Sequence, residues 1–297
     1  MRYSPTSETI YALLFLLPAL AIMSLFLFFP IINAVWISFH RAIFRISWLG
    51  LPFIGLKNYI LGVQETYFIH VLGYTLYFTV VSVALELLIG LGMALLAFQA
   101  YRLRGFIRAS IVLPWAIPPL IQAMMWRWIY QRDVGVLGDI LVKLHIVSSP
   151  PDFLGDPILA MHSVIFADVW KCSSFMAIIL LAGLASIPRD IYDAAAIDGA
   201  RGFTRFRYIT LPLIRPMMLV ALLFRTIDAF RVFDLVYGLT GGGPGVTTEV
   251  MSTFAYEYYF EYANFGRGAA YSVIILLMVL LLSLFYIREM RKRLTLR

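Results

Sequence analysis

The chain has one cysteine and four histidines in 297 residues, and only 14% of its residues are charged. A single thiol, Cys172, set in an apolar stretch, excludes a disulfide framework and a cysteine-based metal cluster. The histidines, His40, His70, His145 and His162, are scattered. They read as interfacial or locally satisfied groups, so no metal is expected and a membrane-embedded metalloenzyme is disfavoured. No Gly-Lys-Ser/Thr phosphate loop occurs, which argues against ATP hydrolysis by this chain alone. Alternating strands of about ten residues are lacking, which excludes a transmembrane β-barrel. Nor is there a visible internal repeat of the kind many secondary transporters carry.

What the chain has is apolar surface. It is 61% hydrophobic, with a mean hydropathy of +0.84, where soluble domains run at about 45–50% apolar. It reads as an all-α integral membrane protein, because lipid offers backbone groups no hydrogen-bond partner. Six stretches of roughly 20 residues can cross a hydrocarbon core about 30 Å thick. They fall near Tyr11–Ile37, Val71–Phe98, Ile107–Tyr130, Ile158–Leu184, Met217–Leu239 and Ala269–Ile287. Pro18, Pro30, Pro114, Pro118 and Pro119 lie in or beside them. The first stretch is too long for a cleavable signal and no small-residue cleavage site follows it, so it is expected to be retained.

A net charge of +7 reflects loop bias in such a protein rather than nucleic-acid binding. With a cytoplasmic N-terminus, the inside segments hold Arg2, Arg102, Arg104, Arg108, the arginines of the central loop and the basic C-terminal tail. The outside loops hold Arg41, Arg45, Lys57, Arg132, Lys143 and Arg267. That asymmetry puts both termini inside. The expected organisation is a first span and external loop over 1–66, a membrane domain over 67–288 with a cytoplasmic loop at 187–216, and a basic tail over 289–297.

Ionisable groups inside spans mark a pair or a pathway. Span four carries Asp168 and Lys171, and span five carries Arg225, Asp228, Arg231 and Asp234, each three residues apart. Two readings follow. Neighbours at that spacing can neutralise one another along their own helix. Alternatively, Asp168, Lys171, Cys172 and Phe175 on span four, with Arg225, Asp228, Ala229, Val232 and Asp234 from span five, line a polar cavity. Charged hydrogen-bonding groups beside aromatic faces suit a sugar.

The central stretch, Asp190–Pro216, is polar and basic between two apolar spans. Ile191–Ala200 predicts a short helix, with Ala194, Ala195 and Ala196 as strong helix formers and acidic residues in the first turn. Asp190 is its expected N-cap. Gly199 or Gly202 is placed to end it, and a second helical piece is expected over Phe203–Tyr208. Read from composition, the segment is either a solvated loop whose arginines set topology or a docking surface for a soluble partner.

Its pattern resembles the coupling loop of the permease subunits of ABC importers. Ala194, Ala195, Asp198, Gly199, Ala200, Phe206, Ile209, Thr210, Leu211, Pro212 and Pro216 match. The leading Glu of that pattern is Asp193 here, which keeps the charge on a shorter arm. Asp168-Val169-Trp170-Lys171 and Phe233–Pro244 are similar to the MalF-like, sugar-importing branch, in its short six-span form. The resemblance implies the transmembrane domain of a type I, binding-protein-dependent ABC sugar importer in a bacterial or archaeal cytoplasmic (inner) membrane. It implies a second homologous permease, two ATP-binding subunits that hold ATP and Mg, an extracytoplasmic solute-binding protein and a sugar substrate. Asp193, Ala194, Ala195, Asp198, Gly199, Ala200, Arg201 and Phe206 are the residues it assigns to coupling. A secondary, ion-coupled transporter is the competing reading.

Overall fold

The computed structural model describes residues 5–44, 50–100 and 103–294. Of the orientation residues, Arg2, Arg45, Arg102 and Arg297 lie outside them. The chain is helical, and among the described residues the only extended pairings are the isolated bridges His40–Phe53 and Ile43–Asn264.

Helix α1 (Pro5–Met23), a π turn (Ser24–Phe28) and α2 (Phe29–Ser38) make the first span. Helix α3 (Lys57–Val63) is short, and α4 (Thr66–Gln99) is the second span. Helices α5 (Arg104–Ala116) and α6 (Pro119–Ile129) form a pair bent by 93°. After α7 (Val136–Lys143) comes α8 (Pro157–Ala185). The central stretch forms α9 (Arg189–Ile197), α10 (Gly202–Arg205) and a π turn (Phe206–Thr210) that runs into α11 (Leu211–Phe230). Helices α12 (Asp234–Leu239), α13 (Met251–Phe260) and α14 (Phe265–Leu294) complete the chain.

Proline explains most departures from a simple six-span reading. Ile117 leaves the helix at ψ 127°, as a residue before proline is pushed to do. The third apolar stretch is therefore two helices meeting at 93° rather than one continuous helix. Each π turn ends two residues before a proline, Pro30 or Pro212. A proline ring lacks the N–H and crowds the carbonyl four residues back, so the helix widens there. The fifth span also differs from expectation. It starts at Gly202 and stops at Phe230, and a new helix begins at Asp234, whose carboxylate suits a helix N-terminus.

The chain divides into two compact units. One comprises residues 1–68 and 254–274. Its polar centre is Glu65, whose carboxylate accepts from Tyr258 at 2.6 and 2.7 Å and from Tyr271 at 3.0 Å, with Arg267 at 3.7 Å. Burial and these bonds push the Tyr258 phenol up to about 12. The other unit comprises residues 69–253 and 275–297. Its axis is α8, whose most apolar stretch is 67% buried, whereas the most apolar stretch of the first span has no buried residue and is surface of the kind lipid covers. Helices α5 and α11 lie against α8, and α6 lies against α12. At Gly90 of α4, a Cβ would fall 2.5 Å from Met176 Cβ of α8, so only glycine permits that approach.

Candidate functional site

Three spans meet at one guanidinium. Arg225 of α11 donates through Nε and Nη2 to the two oxygens of Glu86 on α4, at 2.6 and 2.8 Å. Its Nη2 also donates to Asp168 Oδ2 on α8 at 3.0 Å. Cys172 Sγ donates to Asp168 Oδ1 at 3.4 Å. Glu86, Asp168, Arg225 and Cys172 are all buried. Lys171, also buried, has no hydrogen-bond or ion-pair partner among the described residues. With Arg225 it matches the two carboxylates in number, so two formal positive charges stand against two negative ones.

In this arrangement Asp168, Cys172 and Arg225 come together and the other expected pathway residues do not join them. Arg225 pairs across helices rather than along its own. Asp228 instead pairs with Arg231 at 2.7 Å on the exposed side of α11. Val232 and Asp234 lie beyond the end of α11, so they do not continue the face of Arg225 and Ala229. Phe175 sits in an aromatic group, 6.0 Å from Trp115 and 6.5 Å from Phe224. Donor atoms of Glu86, Asp168 and Cys172 lie within 4.8 Å of one another, but the guanidinium already lies against both carboxylates, where a cation would be drawn.

Sequence reasoning did not find Glu86. Its signal is a lone carboxylate in a 34-residue apolar helix, and a lone intramembrane charge calls for a partner.

The second candidate site is α9. Ala200 N–H donates to Ala195 O at 2.9 Å and Gly199 N–H to Ala196 O at 3.2 Å. With Gly199 at φ +80°, this is a Schellman C-cap. The helix starts two residues earlier than expected, capped at Pro188 rather than Asp190. The second piece is the short α10 and the π turn, continuous with α11. Ala195 is buried, while Asp193, Ala194, Asp198, Gly199 and Arg201 are exposed and Ala200 and Phe206 are half-buried. Ile197 is 87% exposed, an apolar side chain presented among charges. Tyr192, which sequence reasoning passed over, anchors the segment. It meets Phe98 of α4 at 6.3 Å, accepts from Thr210 Oγ1 at 3.4 Å and lies 5.6 Å under the Arg205 guanidinium. It therefore ties α9 to the end of α4 and the start of α11.

A multi-span helical chain with an ion cluster across three spans and an exposed, capped helix between two of them has the form of a membrane permease subunit. The pattern of the family described as "Binding-protein-dependent transport system inner membrane component" matches residues 86–291, and the chain belongs to that family. It is 42% identical over 280 residues to the trehalose/maltose transport system permease protein MalF of Thermococcus litoralis, covering 94% of this chain and 93% of that one. It is 34% identical over 292 residues to the sulfoquinovosyl glycerol permease SmoG of Agrobacterium fabrum, covering 98% and 94%. Among solved structures, a bacterial alginate ABC transporter, in complex with an alginate pentasaccharide-bound periplasmic protein, superposes with a TM-score of 0.82 at 25% identity, covering 98% and 96%. The chain is thus a multi-pass inner-membrane permease subunit of an ABC importer, and the ion-coupled alternative falls.

Proposed function

We propose that this subunit carries a di- or oligosaccharide, or a related polar solute, across the membrane by alternating access. ATP and Mg are bound by two separate ATP-binding subunits, and a second homologous permease completes the pathway. An extracytoplasmic solute-binding protein delivers the substrate. The single observation that carries the sugar reading is the near-full-length likeness to a trehalose/maltose permease. The capped and exposed α9 supports coupling. Asp193, Ala194, Asp198, Gly199 and Arg201 present its docking surface, with Ile197 as the apolar contact. Ala195, Ala200 and Phe206 hold its shape. The N- and C-termini and α9 then lie on the cytoplasmic side.

Co-purification with the neighbouring gene products tests this directly. A second permease and an ATPase should co-elute, and hydrolysis should rise with one binding protein only when it holds its sugar. A chain that elutes alone and without ATPase would sink the assignment.

Within the subunit, we place Lys171, Phe175, Asp228, Val232 and Asp234 along the substrate pathway, with Asp168, Cys172, Arg225 and Ala229 as its rigid wall. The exposed Asp228–Arg231 pair contributes roughly 0.2–1 kcal/mol to stability at most. Asp228→Ala should therefore leave the melting temperature near wild type and raise the transport KM several-fold. A lowered melting temperature with unchanged KM would make Asp228 structural instead.

A further inference from the structure

A cavity of about 560 Å³ opens where α6 ends and the chain leaves the span. Arg127, Trp128, Gln131, Arg132 and Asp152 line it. Its wall is rigid. Tyr130 is buried, its hydroxyl donates to Ser163 O of α8 at 3.0 Å, and its ring packs 5.1 Å from Trp126 and 5.3 Å from Phe153. Farther up, Gln122 Nε2 donates to Ala167 O at 2.6 Å. The end of α6 is therefore fastened to α8, which holds in place the backbone that carries the cavity's side chains.

The charge in the cavity is unbalanced. Elsewhere in the chain, Lys143, Arg225, Arg231 and Lys292 each meet a carboxylate within 3.0 Å or less. Arg127 and Arg132 have no ion-pair or hydrogen-bond partner among the described residues. Asp152, the one carboxylate in the wall, already accepts from Gly155 N–H at 2.9 Å. Trp128 is 70% exposed, beside the two arginines at the point where a span becomes a loop. With α5–α6 taken as one span, that is headgroup depth, where indole rings and long cationic side chains settle. Two guanidinium forks on one cavity wall match the planar oxyanion faces of phosphate.

We propose that this cavity binds an oxyanion of the phosphate-ester class, held between Arg127 and Arg132, with the Trp128 ring covering the carbons that carry it. An anionic phospholipid headgroup and a free polyol phosphate share this chemistry. The site shares no residue with the proposed sugar pathway, and the proposed orientation would place it at the outer leaflet.

The assembled importer tests it in two arms. In the first, complexes in nanodiscs of phosphatidylcholine with added phosphatidylglycerol are analysed by native mass spectrometry for retained anionic lipid. In the second, glycerol 1-phosphate is titrated into complexes in phosphatidylcholine alone. R127A/R132A is expected to weaken anion retention at least about tenfold, since each lost charge-assisted contact is worth that much. R127K/R132K, which keeps charge but loses the forks, should fall between. Loss in the first arm identifies a lipid headgroup, and loss in the second a soluble phosphate ester. Equal binding by wild type and R127A/R132A in both arms overturns the proposal. Both arginines are exposed, so the variant should assemble and hydrolyse ATP normally. Failure of this inference therefore leaves the importer assignment intact, and failure of co-assembly reads out separately.

Discussion

Replacing Arg225 with methionine should cost about 3–5 kcal/mol, because it leaves two buried carboxylates facing each other without a directly paired counter-ion. The geometry accounts for the size of the effect. Arg225 serves both oxygens of Glu86 and one of Asp168 from a single planar fork, and Glu86 is fully buried. Lys171 cannot take over, since its ammonium reaches neither carboxylate. The expected readout is a sharp fall in the thermal melting temperature and in the yield of assembled complex. Arg225→Lys keeps the charge but not the fork, and should recover only part of the loss. Glu86→Gln combined with Asp168→Asn in the Arg225→Met background removes every buried charge of the triad and should recover most of it. A wild-type melting temperature for Arg225→Met would show that water or a rearranged partner satisfies the carboxylates, and that the cluster does not hold the three spans.

Gly199→Pro should uncouple the subunit while leaving it inserted. Gly199 sits at φ +80°, and proline is confined near −65°. The substitution also removes the N–H that bonds Ala196 O. The last turn of α9 then loses its cap and Ile197 its position. A coupling free energy of ordinary size sets the expected loss in transport at about tenfold or more. Basal ATP hydrolysis should persist, but stimulation by the loaded binding protein should fade. Gly199→Asn, which tolerates left-handed backbone, should stay close to wild type. If Gly199→Pro transports normally with normal stimulation, α9 is not the element through which the ATP-binding subunits act.

Helix α9 was largely legible because its determinants are local. Three alanines, an acidic first turn and a glycine able to adopt positive φ specify a short capped helix without reference to the rest of the fold. Its bounds shifted from the expected Ile191–Ala200 to Arg189–Ile197: a proline at the N-cap position replaced the expected side-chain cap, and the glycine-centred C-cap ended the helix before Gly199. The ion cluster was legible only in part. Asp168 and Arg225 stood out as intramembrane charges, but sequence spacing paired Arg225 with Asp228, three residues away. In the structure its partners are 139 and 57 residues distant. Glu86 carried the same kind of signal and was passed over, being a single charge with no neighbour at helical spacing.

By itself, then, the sequence determined the membrane class, the number of apolar stretches and the existence of a short helix at α9. A bilayer forces apolar stretches of about 20 residues into helices whatever surrounds them, and a helix cap is written within a few residues. The tertiary structure alone decided which charges neutralise which, that the α5–α6 span breaks by 93°, and that Tyr192 fastens α9 to α4 and α11. Those outcomes depend on which faces of different helices meet. Long-range packing sets that choice, and in a low-dielectric interior a buried charge takes whichever partner the packing brings within reach.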